Sequence, residues 1–169
     1  DADENVYVTN QKTKDVLVMN KSGARLRTIG GETGMERPTG VAIDPDRRLL
    51  YVSDTASGSR KFRVLVFDLD GKHLRDLGKG AGDVDGAFNF PTYLAVNQAG
   101  HVLVADSMNF RVQVFDTDGT FLRKYGTMGD GPGTFSRLKG VAIDGFGNIY
   151  AVEAGAGVVQ MFNSDFEML

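Results

Sequence analysis

The sequence predicts an all-β protein, a β-propeller of four-stranded antiparallel blades forming an open arc or partial ring. Three observations predict it: a repeat of about 47 residues, four short apolar runs in each copy, and turn residues between those runs. From Pro38 the chain reads PTGVAIDPDRRLLYVSD, from Pro91 PTYLAVNQAGHVLVAD, and from Leu138 LKGVAIDGFGNIYAVE. Each is followed by an extended run: FRVLVFDLDGKHLRDLG, FRVQVFDTDGTFLRKYG and GVVQMFNSDFEML. Phe67, Phe115 and Phe162 hold the same place in each copy, and Met19 holds it in an earlier, incomplete one.

The elements follow in order. In the copy beginning at Pro38, strand a is Val41-Ala42-Ile43 and strand b is Leu50-Tyr51-Val52-Ser53. Strand c is Val64-Leu65-Val66-Phe67, and strand d runs from His73 to Leu77. The a–b turns carry Gly, Asp or Asn (Asp44-Pro45-Asp46, Gln98-Ala99-Gly100, Gly145-Phe146-Gly147-Asn148). The c–d turns read Asp68-Leu69-Asp70-Gly71, Asp116-Thr117-Asp118-Gly119 and Asn20-Lys21-Ser22-Gly23. Gly and Asn tolerate positive φ, so these are hairpin signals. No segment carries a helical apolar period, so almost no helix is expected. A single unit over 1–169 follows, with blades at about 1–30 (partial), 38–78, 91–126 and 138–169. The first copy has strands b, c and d, and the later three have all four. An open arc exposes two blade faces, at a cost on the order of 10 kcal/mol. The arc is therefore expected to be part of a longer propeller or to be covered by another chain.

Composition narrows the function. The chain lacks cysteine, which excludes a disulfide framework, a thiolate metal site and a cysteine nucleophile. A net charge of −3 gives no bulk nucleic-acid footprint. No apolar run approaches the roughly 20 residues of a membrane-spanning helix.

Several motifs have a structural explanation. Asp54/Arg63 and Asp106/Arg111 are expected to be ion pairs in which a strand-end Asp holds the Arg that opens strand c. Glu153 lacks that partner, because Val158 stands at the Arg position. It reads as a solvated loop carboxylate or, alternatively, as part of a ligand-binding notch. The Asp-x-Asp-Gly motifs resemble the start of a calcium loop but lack the distal ligands, so they are turns. The segment Gly78-Lys79-Gly80-Ala81-Gly82 lacks the helix N-terminus that would complete a phosphate cradle.

The middle copy, Gly86-Ala87-Phe88-Asn89-Phe90-Pro91, then Leu94-Ala95-Val96, Val104-Ala105-Asp106-Ser107 and Asn109-Phe110-Arg111-Val112-Gln113-Val114-Phe115, resembles NHL repeats. So does the linker Gly129-Asp130-Gly131-Pro132-Gly133-Thr134-Phe135. The resemblance implies a six-bladed ring, which needs about 280 residues at this period. It also implies a working face at the d–a linkers and b–c loops. There it places Arg37, Thr39, Phe90, Thr92, Arg137 and Lys139 before strand a. After strand b it places Lys12–Lys14, Thr55–Lys61, Ser107–Phe110 (with Phe110) and Ala154–Gly157, beside Glu153.

The resulting expectation is a non-catalytic binding or scaffolding module for a protein, peptide or glycan, with no metal and no cofactor. Its further partners would be the remaining blades of the same protein or another copy of the chain. The family resemblance leans to an extracytoplasmic location. One alternative is part of a lyase or lactonase-type hydrolase whose active site lies in other blades. The only histidines, His73 and His101, fall at turns on the opposite face, so neither a three-histidine zinc site nor a Ser-His-Asp triad can be built. The third reading is an RNA-binding NHL domain using Arg37, Lys61, Phe110, Arg137 and Lys139. Nucleic-acid binding is not favoured, because backbone binding calls for a clear positive excess.

Overall fold

The computed structural model describes residues 1–56, 58 and 61–169. Among these residues fourteen strands form four antiparallel sheets. The first sheet holds β1 (Val6–Asn10), β2 (Asp15–Met19) and β3 (Arg25–Ile29) in that order. The second holds β4 (Pro38–Asp44), β5 (Leu49–Ala56), β6 (Lys61–Asp68) and β7 (His73–Leu77). The third holds β8 (Pro91–Val96), β9 (Val102–Asp106), β10 (Arg111–Phe115) and β11 (Phe121–Tyr125). The fourth holds β12 (Leu138–Ile143), β13 (Ile149–Glu153) and β14 (Val158–Phe162). At the position of strand d this last blade holds one bridge, between Phe162 and Met168. A single 3₁₀ turn, Ser107–Asn109, is the one helical element among the described residues.

Consecutive sheets pack face to face, and the packing explains the continuous apolar runs of the middle strands. A strand between two neighbouring sheets buries both faces, so alternation disappears from β5, β9 and β10. Tyr7, Val16, Val18 and Ile29 of the first blade meet Leu50, Val52, Leu65 and Phe67 of the second. Tyr51, Val64, Val66 and Leu77 of the second meet Val102, Val104 and Phe115 of the third. Leu103, Ala105, Val112 and Val114 of the third meet Ile149, Ala151 and Phe162 of the fourth. The arc is open: Val6 and Val8 on the outward face of the first blade, and Val152, Val159 and Met161 on that of the fourth, remain exposed.

Polar bonds pin each interface at both ends. On the inner side, Thr9 Oγ1 donates to Thr39 O at 2.9 Å. Ser53 Oγ donates to Thr92 O at 2.8 Å, and Ser107 Oγ donates to Leu138 O at 2.8 Å. Ser53 Oγ also accepts from Gly40 N at 2.8 Å. The approach needs glycine there, because a Cβ on Gly40 would stand 2.2 Å from Thr92 O. On the outer side, Arg27, Arg75 and Arg123 reach the next blade's c–d turn, donating to the carbonyls of Leu69, Thr117 and Ser164.

Two expectations change. The b–c loop expected over Thr55–Lys61 instead lengthens a hairpin. Thr55 pairs with Phe62 and Ala56 with Lys61, and Ser57, Ser59 and Arg60 of that expectation lie outside the described residues. The extension is stabilised by Phe62, which is buried with its ring 5.1 Å from that of Phe90. The full fourth strand expected in the last blade is the lone Phe162–Met168 bridge. The c–d turns are as the sequence reads them: Asp68 Oδ1 accepts from Asp70 N and Lys72 N, and Asp116 Oδ1 from Asp118 N and Thr120 N.

Phe67→Ala removes a fully buried ring and is expected to cost about 3–5 kcal/mol. Ser53→Ala strands the buried Gly40 N–H and is expected to cost about 1–3 kcal/mol. Urea unfolding of both variants checks the magnitudes and their order.

Candidate functional site

The d–a linkers and b–c loops gather at one end of the blades. Backbone bonds bring them there: Thr55 N donates to Arg37 O, Ser107 N to Phe90 O, and Ala154 N to Arg137 O, all within 3.1 Å. A carboxylate at the end of strand b completes each junction. Asp54 Oδ1 accepts from Arg37 N at 2.8 Å, and Glu36 N also points at this carboxylate. Asp106 Oδ1 accepts from Asn89 N at 2.6 Å. Glu153 Oε2 accepts from Ser136 N at 3.0 Å and Arg137 N at 2.9 Å.

The strand-end acids differ in their remaining partners. Arg63 Nη2 stands 3.5 Å from Asp54 Oδ2, and Arg63 Nη1 stands 3.4 Å from Asp76. Arg111 Nε donates to Asp106 Oδ2 at 2.9 Å, and its Nη atoms donate to the carbonyls of Asp83, Val84 and Ala87. The Arg63 and Arg111 side chains therefore hold the linker that precedes strand a, rather than only the b–c loop. Asp106 also accepts from Asn109 Nδ2 and Gln113 Nε2. Burial raises the Asp106 pKa above its ordinary value, against the opposing bonds from Asn89, Asn109 and Arg111.

Glu153 is a correction to the solvated reading. It is buried, at 2% exposure. Its longer side chain reaches Gly155 N at 2.6 Å and Ser136 Oγ at 3.1 Å, besides the two linker amides. Burial pushes its pKa up, but the amides of Arg137 and Gly155, with Ser136, pull harder and hold it below the ordinary value.

The other expected ligand residues divide into two groups. The Thr39 hydroxyl is 2.8 Å from that of Thr55, and the Thr92 hydroxyl is 2.6 Å from that of Ser107, so both serve the blade. Phe90 and Phe110 are half-buried, with positive φ, and pack on the inter-blade cores. Arg37, Arg137 and Lys139 are exposed, and their charged groups have no protein partner within hydrogen-bond or ion-pair distance among the described residues. At the opposite end, His73 Nε2 lies 2.8 Å from Asp76, and His101 is tied through its backbone to Asn97. Among the described residues no group of three His, Asp or Glu side chains could hold a metal ion. Among the described residues no helix is long and apolar enough to cross a membrane.

Sequence reasoning missed two features. Gln113 is fully buried, donating to Ala87 O and accepting from Gly86 N. Gln160 repeats this with Thr134 O and Gly133 N. The signal was a polar residue at an apolar position of strand c. Tyr93 stands where the neighbouring blades have Gly40 and Gly140, and it is 45% exposed.

The fold is a β-propeller. A family described as a 6-bladed beta-propeller (DUF5128) matches residues 93–166. The nidogen/laminin complex contains a chain matched with TM-score 0.75 at 16% identity, over 98% of this chain and 58% of that one. A streptogramin B lyase matches with TM-score 0.75 at 12% identity, over 100% and 51%. A catalytically inactive virginiamycin B lyase from Staphylococcus aureus with quinupristin matches with TM-score 0.72 at 14% identity, over 99% and 52%. The chain thus spans about half the length of these structures, and at such identities the likeness concerns the fold.

The two buried acids have opposite pH signatures. Glu153, with its lowered pKa, contributes stability above its unfolded pKa and loses it as pH falls through the folded value. Asp106, with its raised pKa, takes up its proton first in the folded state, so its contribution rises as pH falls through its folded pKa toward its unfolded one. Glu153→Gln is expected to flatten the acid loss of stability, and Asp106→Asn to steepen it. Thermal melts between pH 3 and 7 on both variants check this, since one common direction would contradict the assignment.

Proposed function

We propose that the chain is an NHL-type propeller segment that binds a protein, peptide or glycan on the face carrying its d–a linkers, without chemistry of its own. The observation that supports this is the contrast at that face. Its strand-end carboxylates are buried and committed to backbone amides, whereas Arg37, Arg137 and Lys139 offer exposed, unengaged cations near the starts of the inner strands. Tyr93, exposed on the inner strand β8, adds an aromatic surface of the kind enriched in recognition sites. Loops held on a rigid scaffold are where binding usually resides. The ligand favoured by this surface is anionic. The 1–169 unit acts as one body with blades near 1–30, 38–78, 91–126 and 138–169. Its open faces are covered by further blades, in the same polypeptide or in a second copy.

The test is charge reversal at Arg37, Arg137 and Lys139 together, with a hexaglutamate peptide, heparin and a uridine 20-mer as probes. The variant is expected to melt within about 0.5 kcal/mol of the wild type. Its affinity for the acidic peptide or heparin is expected to fall at least about tenfold. Salt-sensitive binding of the RNA alone would support nucleic-acid recognition instead. Unchanged binding of every probe by the variant would remove this face as the site.

A further inference from the structure

The turn that joins β12 to β13 carries an aromatic ring that the fold does not use. Phe146 is 93% exposed. Gly145 and Gly147 flank it, and a Cβ on Gly145 would meet nothing within 4 Å. The same turn recurs in other blades, closed by one backbone bond: Glu4 N to Asp1 O, Gly100 N to Asn97 O and Gly147 N to Asp144 O. Asp3 and Ala99 hold the place of Phe146 there. Both are exposed, although a following blade packs beside each. The position therefore faces solvent in any blade, whether or not another blade follows.

The ring stands beside a cleft of about 160 Å³ between this turn and Asn97-Gln98-Ala99 of the third blade. Both neighbouring blades line the cleft, so it belongs to a junction that the arc already contains. Its one carboxylate, Asp144, is saturated. Oδ1 accepts from Phe146 N and Asn148 N, and Oδ2 accepts from Asn148 Nδ2 and the Tyr150 hydroxyl, at 2.8–3.0 Å. Asn97 accepts from His101 N through Oδ1 at 2.9 Å. Its Nδ2, and both polar atoms of the exposed Gln98, have no protein partner among the described residues.

We propose that this cleft binds a neutral, β-linked oligosaccharide, with one hexopyranose ring stacked on Phe146 and its hydroxyls bonded to Asn97 and Gln98. The axial C–H bonds of such a ring line its faces, and their slightly positive hydrogens match the negative face of an aromatic ring. Its hydroxyls donate and accept, as the Gln98 carboxamide does. No unpaired charge lines the cleft, so a neutral ligand fits it better than an ionic one. An apolar side chain of a protein partner would cover Phe146 but leave the two amides without partners, which is costly. A few polar groups beside an apolar surface are the usual make-up of a small-molecule site. This site lies at the end of the blades opposite the d–a linkers, and it goes beyond the binding face proposed above, which favours an anion.

The experiment is an NMR titration of the 169-residue protein with cellotetraose, laminaritetraose and chitotetraose. At least one is expected to shift the backbone amides of Gly145, Phe146 and Gly147 and the side-chain amides of Asn97 and Gln98 saturably. Phe146→Ala is expected to weaken that binding at least about tenfold and to leave the melting temperature unchanged, because the ring is bare. Phe146→Tyr keeps the ring and is expected to keep the binding. Asn97→Asp retains the turn, since Asp44 and Asp144 start the matching turns of their own blades, but it removes the amide donor and is expected to weaken binding. The proposal is overturned if none of the three sugars gives saturable shifts at this turn, or if Phe146→Ala binds as the wild type does. The charge-reversed Arg37, Arg137 and Lys139 variant is expected to keep the response, so the two binding proposals can fail separately.

Discussion

The arrangement at the linker face depends on a buried carboxylate at the end of strand b. The linker that enters strand a arrives with backbone N–H groups that no sheet can pair, and buried donors without partners are costly. The carboxylate is itself unaffordable in the interior unless it is bonded. Each solves the other's problem, in Asp54, Asp106 and Glu153 alike. In the first blade Asn10 holds the corresponding position. It turns instead to the local b–c turn, accepting from Lys12 N and Thr13 N. The chemistry of the position persists while its target changes with what lies nearby.

With the linkers anchored, blade-to-blade geometry follows from contacts at two radii. Hydroxyls join neighbouring inner strands, and strand-d arginines join neighbouring outer turns. Between them lies a sheet interface of Val, Leu, Ile and Phe with no direction of its own, since apolar burial is non-directional. The polar bonds therefore set the angle and the apolar layer supplies the stability. Such a structure is held by nearest-neighbour terms. A change in one blade should be felt in the blades it touches and little farther.

The architecture was legible because it is periodic. Phe67, Phe115 and Phe162 mark the same strand position three times, and the Asp-x-Asp-Gly turns recur between the same strands. The lengthened β5–β6 hairpin was less legible, because it departs from the repeat. Pairing of Thr55 with Phe62 depends on Phe90, nearly thirty residues away in sequence. Of the site, the cations at the starts of the inner strands could be read. The fate of Glu153 could not, because absence of an arginine partner does not reveal that Ser136, Arg137 and Gly155 take over. The linker donors are backbone atoms, which every residue carries, so no side chain announces them. Gln113 and Gln160 could have been noticed, since a glutamine in an otherwise apolar register needs a partner for each of its polar atoms.

In a repeat fold the residues that obey the repeat are occupied in building it. Thr39 and Thr92 bond within their blades, Gly40 permits close approach, and Arg63 and Arg111 fasten linkers. Function has room where one blade breaks the pattern and the fold does not need the new side chain. Lys139 replaces the threonine and leaves its ammonium group exposed. Tyr93 replaces the glycine and presents a ring. Val158 replaces the arginine, and Glu153 is held by Ser136, Arg137 and Gly155 instead. Two of these substitutions lie in the fourth blade and one in the third, and they differ in chemical character. They mark where this chain departs from its own internal template, and a ligand can meet something there that the other blades do not offer.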